Sequence, residues 1–400
     1  MVGAILQLQG IGKQDIYLTQ NPTIDFFRYQ YHRYINFASE IQELPLNEVA
    51  TFGRQNYCII PYYGHLLSKM YLHIKLPPLQ KTSGNYACWS NILGYAIFDG
   101  PIEFVINGSV VDRIYPQLLD INDELTNSDK MLGRNLMLMK SDVYVSNYYN
   151  AINQTDLVIP LDFCFTQKYN MSLPLISMGA QEIRINFKLK KFDQVINYDG
   201  TTPPNEVYII DSDLCAEYIW LDDTILQKFK LEKHMFLINQ IQYQDEEIIP
   251  ANTIAYNSSL KFDNMCKELL FACVSTDNTD SNNYFAYSNI NDNSFIKDIT
   301  FLLDGKRRFD KLPEYYSRLV FPDCVHSTVP IKYIYSLPFS LEPEKNQPSG
   351  SLNMSRFTDK TLSLTMNPGN EECRLHIYGI MYNILIIENG KISFEYLVIH

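Results

Sequence analysis

The chain has few of the features that mark secreted or membrane proteins. Its 8 cysteines form no C-x-x-C pair and most lie in apolar runs, which favours reduced, buried thiols in a reducing compartment over a disulfide framework. The N-terminal stretch MVGAILQLQGIGKQD lacks the basic start and the apolar length of a signal peptide. No later window has the apolar length of a membrane span, so we expect a soluble protein.

Excess positive charge is also lacking. A net charge of −12 argues against a protein whose whole surface binds nucleic acid, because phosphate binding depends on lysine and arginine. The basic cluster Lys306-Arg307-Arg308 is nearly balanced by Asp304 and Asp310, which favours a solvated turn or a salt bridge between subunits. The run RYQYHRY at 28–34 interleaves cations with aromatic rings, but its alternation predicts a strand rather than a nucleic-acid platform.

Motifs of catalysis and of metal binding are missing too. The 7 histidines include no H-x-H, H-E-x-x-H or H-x-x-x-H spacing, so the metal site of a cupin-like jelly roll lacks its usual ligands. Ser349 lies outside any G-x-S-x-G elbow, and Asp15 replaces the third glycine of a dinucleotide fingerprint. We therefore predict no catalytic, cofactor-binding or metal-binding residues, no cofactor and no enzyme activity.

Aromatic residues are abundant instead, with 29 Tyr and 22 Phe, and these residue types favour strands over helices. Helical signals are sparse and short, and the best are one from Tyr115 and one from Leu221, where Asp222 or Asp223 is a suitable N-cap. Many short strands with few helices are typical of a β-sandwich or barrel. The predicted strands include residues 24–37, 56–61, 69–76, 102–111, 157–165 and 182–189.

A weak internal duplication indicates two copies of one β-domain. The segments IEFVINGSVVDR and ITFLLDGKRRFDK each place a strand before a turn glycine, Gly108 in the first and Gly305 in the second. Further along, EIRINF from Glu182 pairs with ECRLHI from Glu372, and then AEYIWLD pairs with FEYLVIH. Three pairs in the same order predict a tandem repeat.

The fold that we predict is all-β, a tandem double jelly roll. It consists of two eight-stranded antiparallel β-sandwiches with short helices in the connections. The predicted organisation is an N-terminal arm at 1–19, a first jelly roll at 20–224, a helical joint at 225–232 and a second jelly roll at 233–400. The Asn-, Asp- and Ser-rich stretch 275–294 is predicted to be a long exposed loop that proteases cut first.

The polar stretch FSLEPEKNQPSGSLNMSR, at 339–356, is predicted to be a loop of defined shape at a subunit edge. Its prolines cannot donate to a sheet, Gly350 permits a positive φ, and its Asn and Ser side chains can bond their own backbone. Arg356 is expected to anchor the loop by bidentate hydrogen bonds to a carboxylate. The residues assigned to this loop are Pro343, Gln347, Pro348, Ser349, Gly350, Asn353, Ser355 and Arg356.

The chain resembles a known family nearly from end to end. The resemblance is to the major capsid proteins of the nucleocytoplasmic large DNA viruses, which include iridoviruses, phycodnaviruses, asfarviruses and marseilleviruses. The run YSLPFSLEPEKNQPSGSLNMSRF at 335–357 is its most specific part. The other matching segments, all in family order, are residues 14–38, 89–113, 172–187, 216–223, 264–271 and 376–385.

The resemblance implies a double jelly-roll subunit of the virion capsid, assembled in the host cytoplasm. Three copies would form a capsomer of pseudo-hexagonal outline, and capsomers would tile an icosahedral shell over an internal membrane. The implied partners are the chain itself, minor capsid proteins and the internal viral membrane, without direct nucleic-acid contact. Candidate aromatic anchors for the trimer are Tyr148-Tyr149, Tyr315-Tyr316, Tyr333 and Tyr335.

Two other functions are compatible with the same fold, because fold alone does not fix function. One is a capsid paralogue, a minor shell protein or a scaffold-type double jelly-roll protein. The other, from a different class, is a glycan-binding or glycan-hydrolysing tandem β-sandwich. A deep pocket lined by paired carboxylates or exposed aromatic rings would favour the glycan protein, whereas broad faces buried between copies would favour the capsid.

Overall fold

The computed structural model describes residues 3–29, 31–126, 131–140, 151–388 and 390–396. The chain divides into two compact units, Met1–Phe37 and Ala38–His400. The first unit contains the helices Gly3–Gln9 and Ile16–Thr19, and its described residues are exposed. The strand predicted at 24–37 is wrong for the described residues 24–29 and 31–36, which form no strand. Alternation alone does not make a strand, because an extended segment also needs a neighbour to pair with.

The first jelly roll consists of two four-stranded sheets. Their orders are β1-β10-β3-β7 and β2-β8-β5-β6, and a separate two-stranded sheet joins β4 to β9. The strands are β1 (Phe37–Pro45), β2 (Gln55–Ile60), β3 (Leu66–Leu76), β4 (Ala87–Trp89), β5 (Ile102–Ile106), β6 (Ser109–Ile114), β7 (Thr155–Pro160), β8 (Ile183–Lys188), β9 (Ile196–Tyr198) and β10 (Asp211–Leu221).

The second jelly roll repeats this topology. Its sheets have the orders β11-β19-β13-β16 and β12-β18-β14-β15, while β17 pairs with β13 and β20 pairs with β19. The predicted tandem of two eight-stranded antiparallel sandwiches is therefore confirmed. The strands are β11 (His234–Ile249), β12 (Ala255–Ser259), β13 (Met265–Ser275), β14 (Ile296–Leu303), β15 (Lys306–Pro313), β16 (Ile334–Pro338), β17 (Leu352–Asn353), β18 (Lys360–Met366), β19 (Cys373–Glu388) and β20 (Lys391–Phe394).

Short helices lie in the connections, and both predicted helices are present. Pro116 occupies the first turn of the helix Pro116–Leu125, where its missing N–H costs nothing. Asp222 caps the helix Asp223–Leu231 by accepting a hydrogen bond from the backbone N–H of Asp223 at 2.9 Å. The other helical segments are Leu93–Ala96, Met131–Met137, Tyr169–Met171, Leu175–Ser177, Phe192–Gln194, Thr276–Asp280, Tyr316–Val320, Phe321–Val325 and Met354–Arg356.

The strand burial patterns explain where the cores lie. In β3 and β18 buried residues alternate with half-buried ones, as expected for strands with one face on a core. In β13 nearly every residue is buried. Its residues Leu270, Ala272 and Val274 belong to the core cluster of the first jelly roll, whereas Leu269 and Phe271 belong to that of the second. The sheet that contains β13 is therefore apolar on both faces.

The topology corrects the predicted duplication. The first pair is right, because the hairpins β5-β6 and β14-β15 occupy the same place in their sheets. The other two pairs are wrong. EIRINF lies in β8, whose counterpart by sheet order is β18 and not the start of β19. AEYIWLD lies in β10, whose counterpart is β19, whereas the described part of FEYLVIH follows β20 or ends it. Alternating burial makes unrelated strands look alike over six residues.

The stretch 275–294 is not the freely exposed loop that its polar composition predicts. It begins with the helix Thr276–Asp280, and Phe285 and Tyr287 are buried against the core of the first jelly roll. The hydroxyl of Tyr284 donates to the carbonyl of Gln194 at 2.9 Å. The prediction failed because a few aromatic rings anchor a segment of otherwise polar residues.

Candidate functional site

An aromatic contact joins the two jelly rolls, and we call it the seam. It is formed by Tyr115 and Gln117, which follow β6, and by Tyr243, His376 and Tyr378 of the sheet β11-β19-β13-β16. The Tyr115 ring lies 5.0 Å from the Tyr243 ring and 5.8 Å from the Tyr378 ring. The end of one sheet of the first jelly roll thus packs on the outward face of a sheet in the second.

Hydrogen bonds fix the polar atoms of the seam. The Tyr378 hydroxyl donates to Oε1 of Gln117 at 3.0 Å, and Nε2 of Gln117 lies 3.3 Å from Nε2 of His376. The Tyr243 hydroxyl lies 3.0 Å from Nδ1 of His376. Burial, with a contribution from Arg374, lowers the pKa of His376 to about 4, so this histidine is neutral at neutral pH.

A buried ion cluster lies beside the seam. Nζ of Lys332, which precedes β16, lies 2.7 Å from Oδ2 of Asp120 and 3.6 Å from Oε1 of Glu124 on the helix Pro116–Leu125. Lys140 forms a second ion pair with Glu124 at 2.8 Å. Burial opposes ionisation of Glu124, but the ammonium groups of Lys332 and Lys140 outweigh it, and the pKa of Glu124 is lowered. Glu124 is ionised, and together with Asp120 it ties the first jelly roll to the second through Lys332.

A cleft of about 1780 Å³ opens beside the seam, between the two jelly rolls. Two of its carboxylates pair with arginines: Glu103 with Arg113 at 3.0 Å, and Glu246 with Arg374 at 3.0 Å. The other carboxylates of the lining are Asp99, Asp193, Asp245, Glu247 and Asp280. Among the described residues no group of three His, Cys, Asp or Glu side chains is arranged to hold a metal ion.

The predicted loop lies in the connection between β16 and β18, and its backbone is closely packed. The backbone N–H of Leu341 donates to the Ser349 carbonyl at 3.3 Å, and that of Glu342 donates to the Ser349 hydroxyl at 2.9 Å. Gly350 has a φ of +138°, and a Cβ atom there would lie 2.9 Å from the carbonyl oxygen of Phe339. Pro343 is buried, whereas Gln347 and Pro348 are exposed.

The second half of the loop is held against β13. Asn353 lies in β17, which pairs with β13, and its Oδ1 accepts from the backbone N–H of Ser355 at 3.1 Å. The Ser355 hydroxyl accepts from the backbone N–H of Asn264 at 2.8 Å. Arg356 is exposed, and within the described residues it pairs with no carboxylate, so the anchor predicted for it is wrong. A long side chain after a turn reaches water more easily than a fixed partner.

The sequence analysis missed Glu344, which fixes the loop to the helical segment before β16. Oε1 of Glu344 accepts from the backbone N–H of Ser327 at 2.6 Å and lies 3.4 Å from Nδ1 of His326. Nε2 of His326 also lies 2.6 Å from Oε1 of the buried Glu268. Burial opposes protonation of His326, but the two glutamates outweigh it and raise its pKa. No spacing in the sequence indicates these contacts, because they join three separate elements.

The turn glycines lie apart from this loop in two-residue hairpin turns. Gly108 has a φ of +80° and Gly305 a φ of +73°, and the preceding Asn107 and Asp304 also have positive φ. This is the conformation that Asn-Gly and Asp-Gly favour between paired strands. Oδ1 of Asp304 also accepts from the backbone N–H groups of Thr358 and Asp359, at 2.9 Å each.

The predicted aromatic anchors differ in exposure. Tyr315 and Tyr316 are exposed, and Tyr333 is half-buried with its hydroxyl donating to the carbonyl of Asp292. Tyr335 is 1% exposed and its hydroxyl lies 2.7 Å from that of Ser294, so it is a core residue and not an anchor. The pair at 148–149 lies outside the described residues.

Comparison with known proteins identifies the family. Residues 25–222 match the model described as the major capsid protein N-terminus, and residues 226–393 match that of the large eukaryotic DNA virus major capsid protein. The chain belongs to this family of capsid proteins. Together the two models cover most of the chain.

Major capsid proteins of several viruses are similar to this chain over most of its length. The major capsid protein of Pyramimonas orientalis virus is 27% identical over 99% of this chain and 100% of its own length. That of Phaeocystis pouchetii virus is 26% identical, with the same coverage. In the quasi-atomic structure of the PBCV-1 virus capsid, a chain superposes with a TM-score of 0.78 at 24% identity, over 94% of this chain and 100% of that one. Among the described residues, no helix has the length and apolar character needed to cross a membrane.

Proposed function

We propose that this protein is the major capsid subunit of a large DNA virus and that three copies form a capsomer of pseudo-hexagonal outline. The observation that carries the proposal is the seam, which holds two jelly rolls of the same topology in one fixed arrangement. Three such chains present six comparable corners. A three-fold assembly can therefore occupy a six-fold position in a shell with a single gene product.

The kind of contact in the seam also supports ring formation. Within one chain, the end of a sheet in one jelly roll meets the face of a sheet in the other, so the two surfaces in contact are different. Contacts between two different surfaces are heterologous, and they close into rings when the rotation between neighbours allows it. Six repeats of one such contact, three within chains and three between them, would complete the ring.

The wider partners of the subunit are part of the proposal. We propose that capsomers pack against one another, against minor capsid proteins and over an internal viral membrane, in virions assembled in the host cytoplasm. The family resemblance supports these partners. The net charge of −12 supports the absence of direct nucleic-acid contact.

The glycan-protein alternative has less support. The cleft between the jelly rolls is large, but Glu103 and Glu246 in its lining each pair with an arginine, which occupies them as ion-pair partners. A capsid paralogue would share the double jelly-roll fold, so the fold does not separate it from a major capsid protein. The number of copies of the chain in a purified virion separates a major from a minor capsid protein.

Light scattering tests the proposal directly. At low micromolar concentration we expect the folded protein to have three times the mass of its 46.5 kDa chain. Electron microscopy of the same sample should show particles with a hexagonal outline. A mass of one chain at every concentration, in a sample that unfolds cooperatively, would contradict the proposed assembly.

A further inference from the structure

Each jelly roll has two surfaces of the kind that meet in the seam: the residues that follow its hairpin, and the outward face of its other sheet. Within one chain, the first jelly roll contributes only the former to the seam and the second only the latter. The residues after β6 in the first jelly roll pack on the outward face of the sheet β11-β19-β13-β16 in the second. The corresponding residues after β15, and the outward face of the corresponding sheet β1-β10-β3-β7, make no such contact in the described chain. These two surfaces correspond by topology to the two surfaces that pack together in the seam.

Tyr315 is the counterpart of Tyr115. Tyr115 follows β6 and precedes the helix Pro116–Leu125, and Tyr315 follows β15 and precedes the helical segment Tyr316–Val320. Tyr115 is half-buried in the seam, whereas Tyr315 is 53% exposed. The tyrosine at this topological position is thus half-buried in the first jelly roll and exposed in the second.

The outward face of β1-β10-β3-β7 is the counterpart of the face that receives Tyr115. Cys215 lies opposite Tyr71, and Asp213 lies opposite His73, on neighbouring strands of this face. Nδ1 of His73 lies 3.1 Å from Oδ2 of Asp213, and its Nε2 lies 3.0 Å from Oδ1 of Asp156. This part of the face carries charged side chains, whereas its counterpart around Tyr243 and Tyr378 is aromatic.

The two unused surfaces carry charge of opposite sign. The edge strand β15 is exposed and mainly basic, and its Arg307 forms an ion pair with Asp310, which is also exposed. The outward face of the first sheet is mainly acidic. Its carboxylates are Glu43, Asp156, Asp211, Asp213 and Glu217 against Lys69 and Lys75, and the charges of β15 are Lys306, Arg307, Arg308 and Lys311 against Asp310.

We infer that the outward face of β1-β10-β3-β7, around Tyr71 and Cys215, is the docking surface for Tyr315 and the basic edge strand β15 of a second copy of this chain. The inference rests on the proposed ring assembly and names the surfaces that close it. Complementary charge guides the approach and the register, and the Tyr315 ring supplies the buried anchor. The contact repeats between chains the arrangement that the seam makes within one.

Cysteine cross-linking tests the docking surface. The native Cys215 is half-buried on this face, and the exposed Cys324 is removed by Cys324→Ser. In that background, Tyr315→Cys treated with a short bis-maleimide should give covalent dimers and trimers on a denaturing gel. Adding Cys215→Ser should abolish them. Leu231→Cys, at a residue that is 81% exposed and outside both surfaces, is the matched control and should give no ladder.

Because Tyr315→Cys removes the proposed anchor, a second variant is needed that keeps it. Tyr316→Cys keeps Tyr315 and places the thiol one residue away, at a position that is 39% exposed. We expect at least one of the two variants to cross-link in a Cys215-dependent way. If light scattering shows trimers and neither variant does so, the docking surface is wrong while the assembly stands. If the unmodified protein has the mass of one chain, both the assembly and the docking surface are wrong.

Discussion

Nζ of Lys332 in the second jelly roll lies 2.7 Å from Oδ2 of Asp120 in the first. Asp120 is 1% exposed, and 212 positions in the sequence separate the two residues. An ion pair of this kind contributes modestly as a whole, but removing the buried carboxylate leaves the half-buried Lys332 with only the more distant Glu124 as a partner. This pair therefore helps to hold the helix Pro116–Leu125 of the first jelly roll against the second.

We expect Asp120→Asn to lower the free energy of unfolding by about 3 kcal/mol, because Lys332 loses its nearest carboxylate and keeps only Glu124. Urea unfolding measures the change. Asp310→Asn is the control, since it breaks an exposed pair with Arg307 and should cost less than about 0.5 kcal/mol. Equal losses in the two variants would show that Asp120 does not act as a buried charge.

His376 should make the seam sensitive to acid. Its pKa falls from 6.5 to about 4 on folding, so between these values the unfolded chain binds a proton that the folded chain does not. Stability therefore decreases as the pH falls from 6.5 towards 4, by up to about 3 kcal/mol in total. Glu246 lies 3.6 Å from Nε2 of His376, but its charge is shared with Arg374, which it approaches at 3.0 Å.

The variant His376→Gln isolates this effect. Glutamine keeps hydrogen-bonding capacity towards Gln117 and Tyr243 but does not titrate. The difference in unfolding free energy between the unmodified protein and the variant should shift in favour of the variant between pH 6.5 and 4. A difference that stays constant over this range would show that His376 is not held neutral by the fold.

Strands and hairpins were predictable because their signals are local. Alternation of buried and half-buried residues marks β3, and the dipeptides Asn107-Gly108 and Asp304-Gly305 mark their hairpins. The same alternation misled the sequence analysis in the unit Met1–Phe37, where aromatic residues alternate but form no strand in the described part. A local pattern shows that a segment is able to pair and not that a partner exists.

The contacts of the seam were not predictable, because they depend on which strands become neighbours. β13 is a nearly continuous buried run, and the sequence alone does not show that one of its faces meets the other jelly roll. Nor does any motif connect Glu344 with His326 and Ser327. The turn residues of the loop predicted its position in the sequence. Its anchor, Glu344, could not be predicted because a glutamate in a polar stretch has no distinguishing signal.

Removal of metal should leave the protein unchanged. Among the described residues no cluster of candidate ligands is present, so no metal binding is expected to couple to folding. We expect the thermal midpoint with excess EDTA to agree with that in untreated protein within the error of the measurement. A stoichiometric zinc, iron or manganese in elemental analysis, or a midpoint lowered by the chelator, would contradict this and revive the cupin-like alternative.

Gly350 should be the least replaceable residue of the loop between β16 and β18. Its φ of +138° is rare for residues with a side chain, and an added Cβ atom would lie 2.9 Å from the Phe339 carbonyl oxygen and 3.2 Å from Cα of Ser340. Backbone atoms cannot turn aside as a flexible side chain can. We expect Gly350→Ala to cost about 2–4 kcal/mol of unfolding free energy, from backbone strain and overpacking together.

Gly100→Ala separates these two contributions. Gly100 also has a positive φ, +96°, but an added Cβ atom there meets nothing within 4 Å. Its replacement should cost only the conformational strain, about 1 kcal/mol. Urea unfolding measures the loss of unfolding free energy in each variant. The difference between the two losses is the cost of the close contact between the added Cβ atom and the backbone of Phe339 and Ser340. If Gly350→Ala proves no more destabilising than Gly100→Ala, the loop yields to an added methyl group and its shape is not fixed by the packing around Phe339.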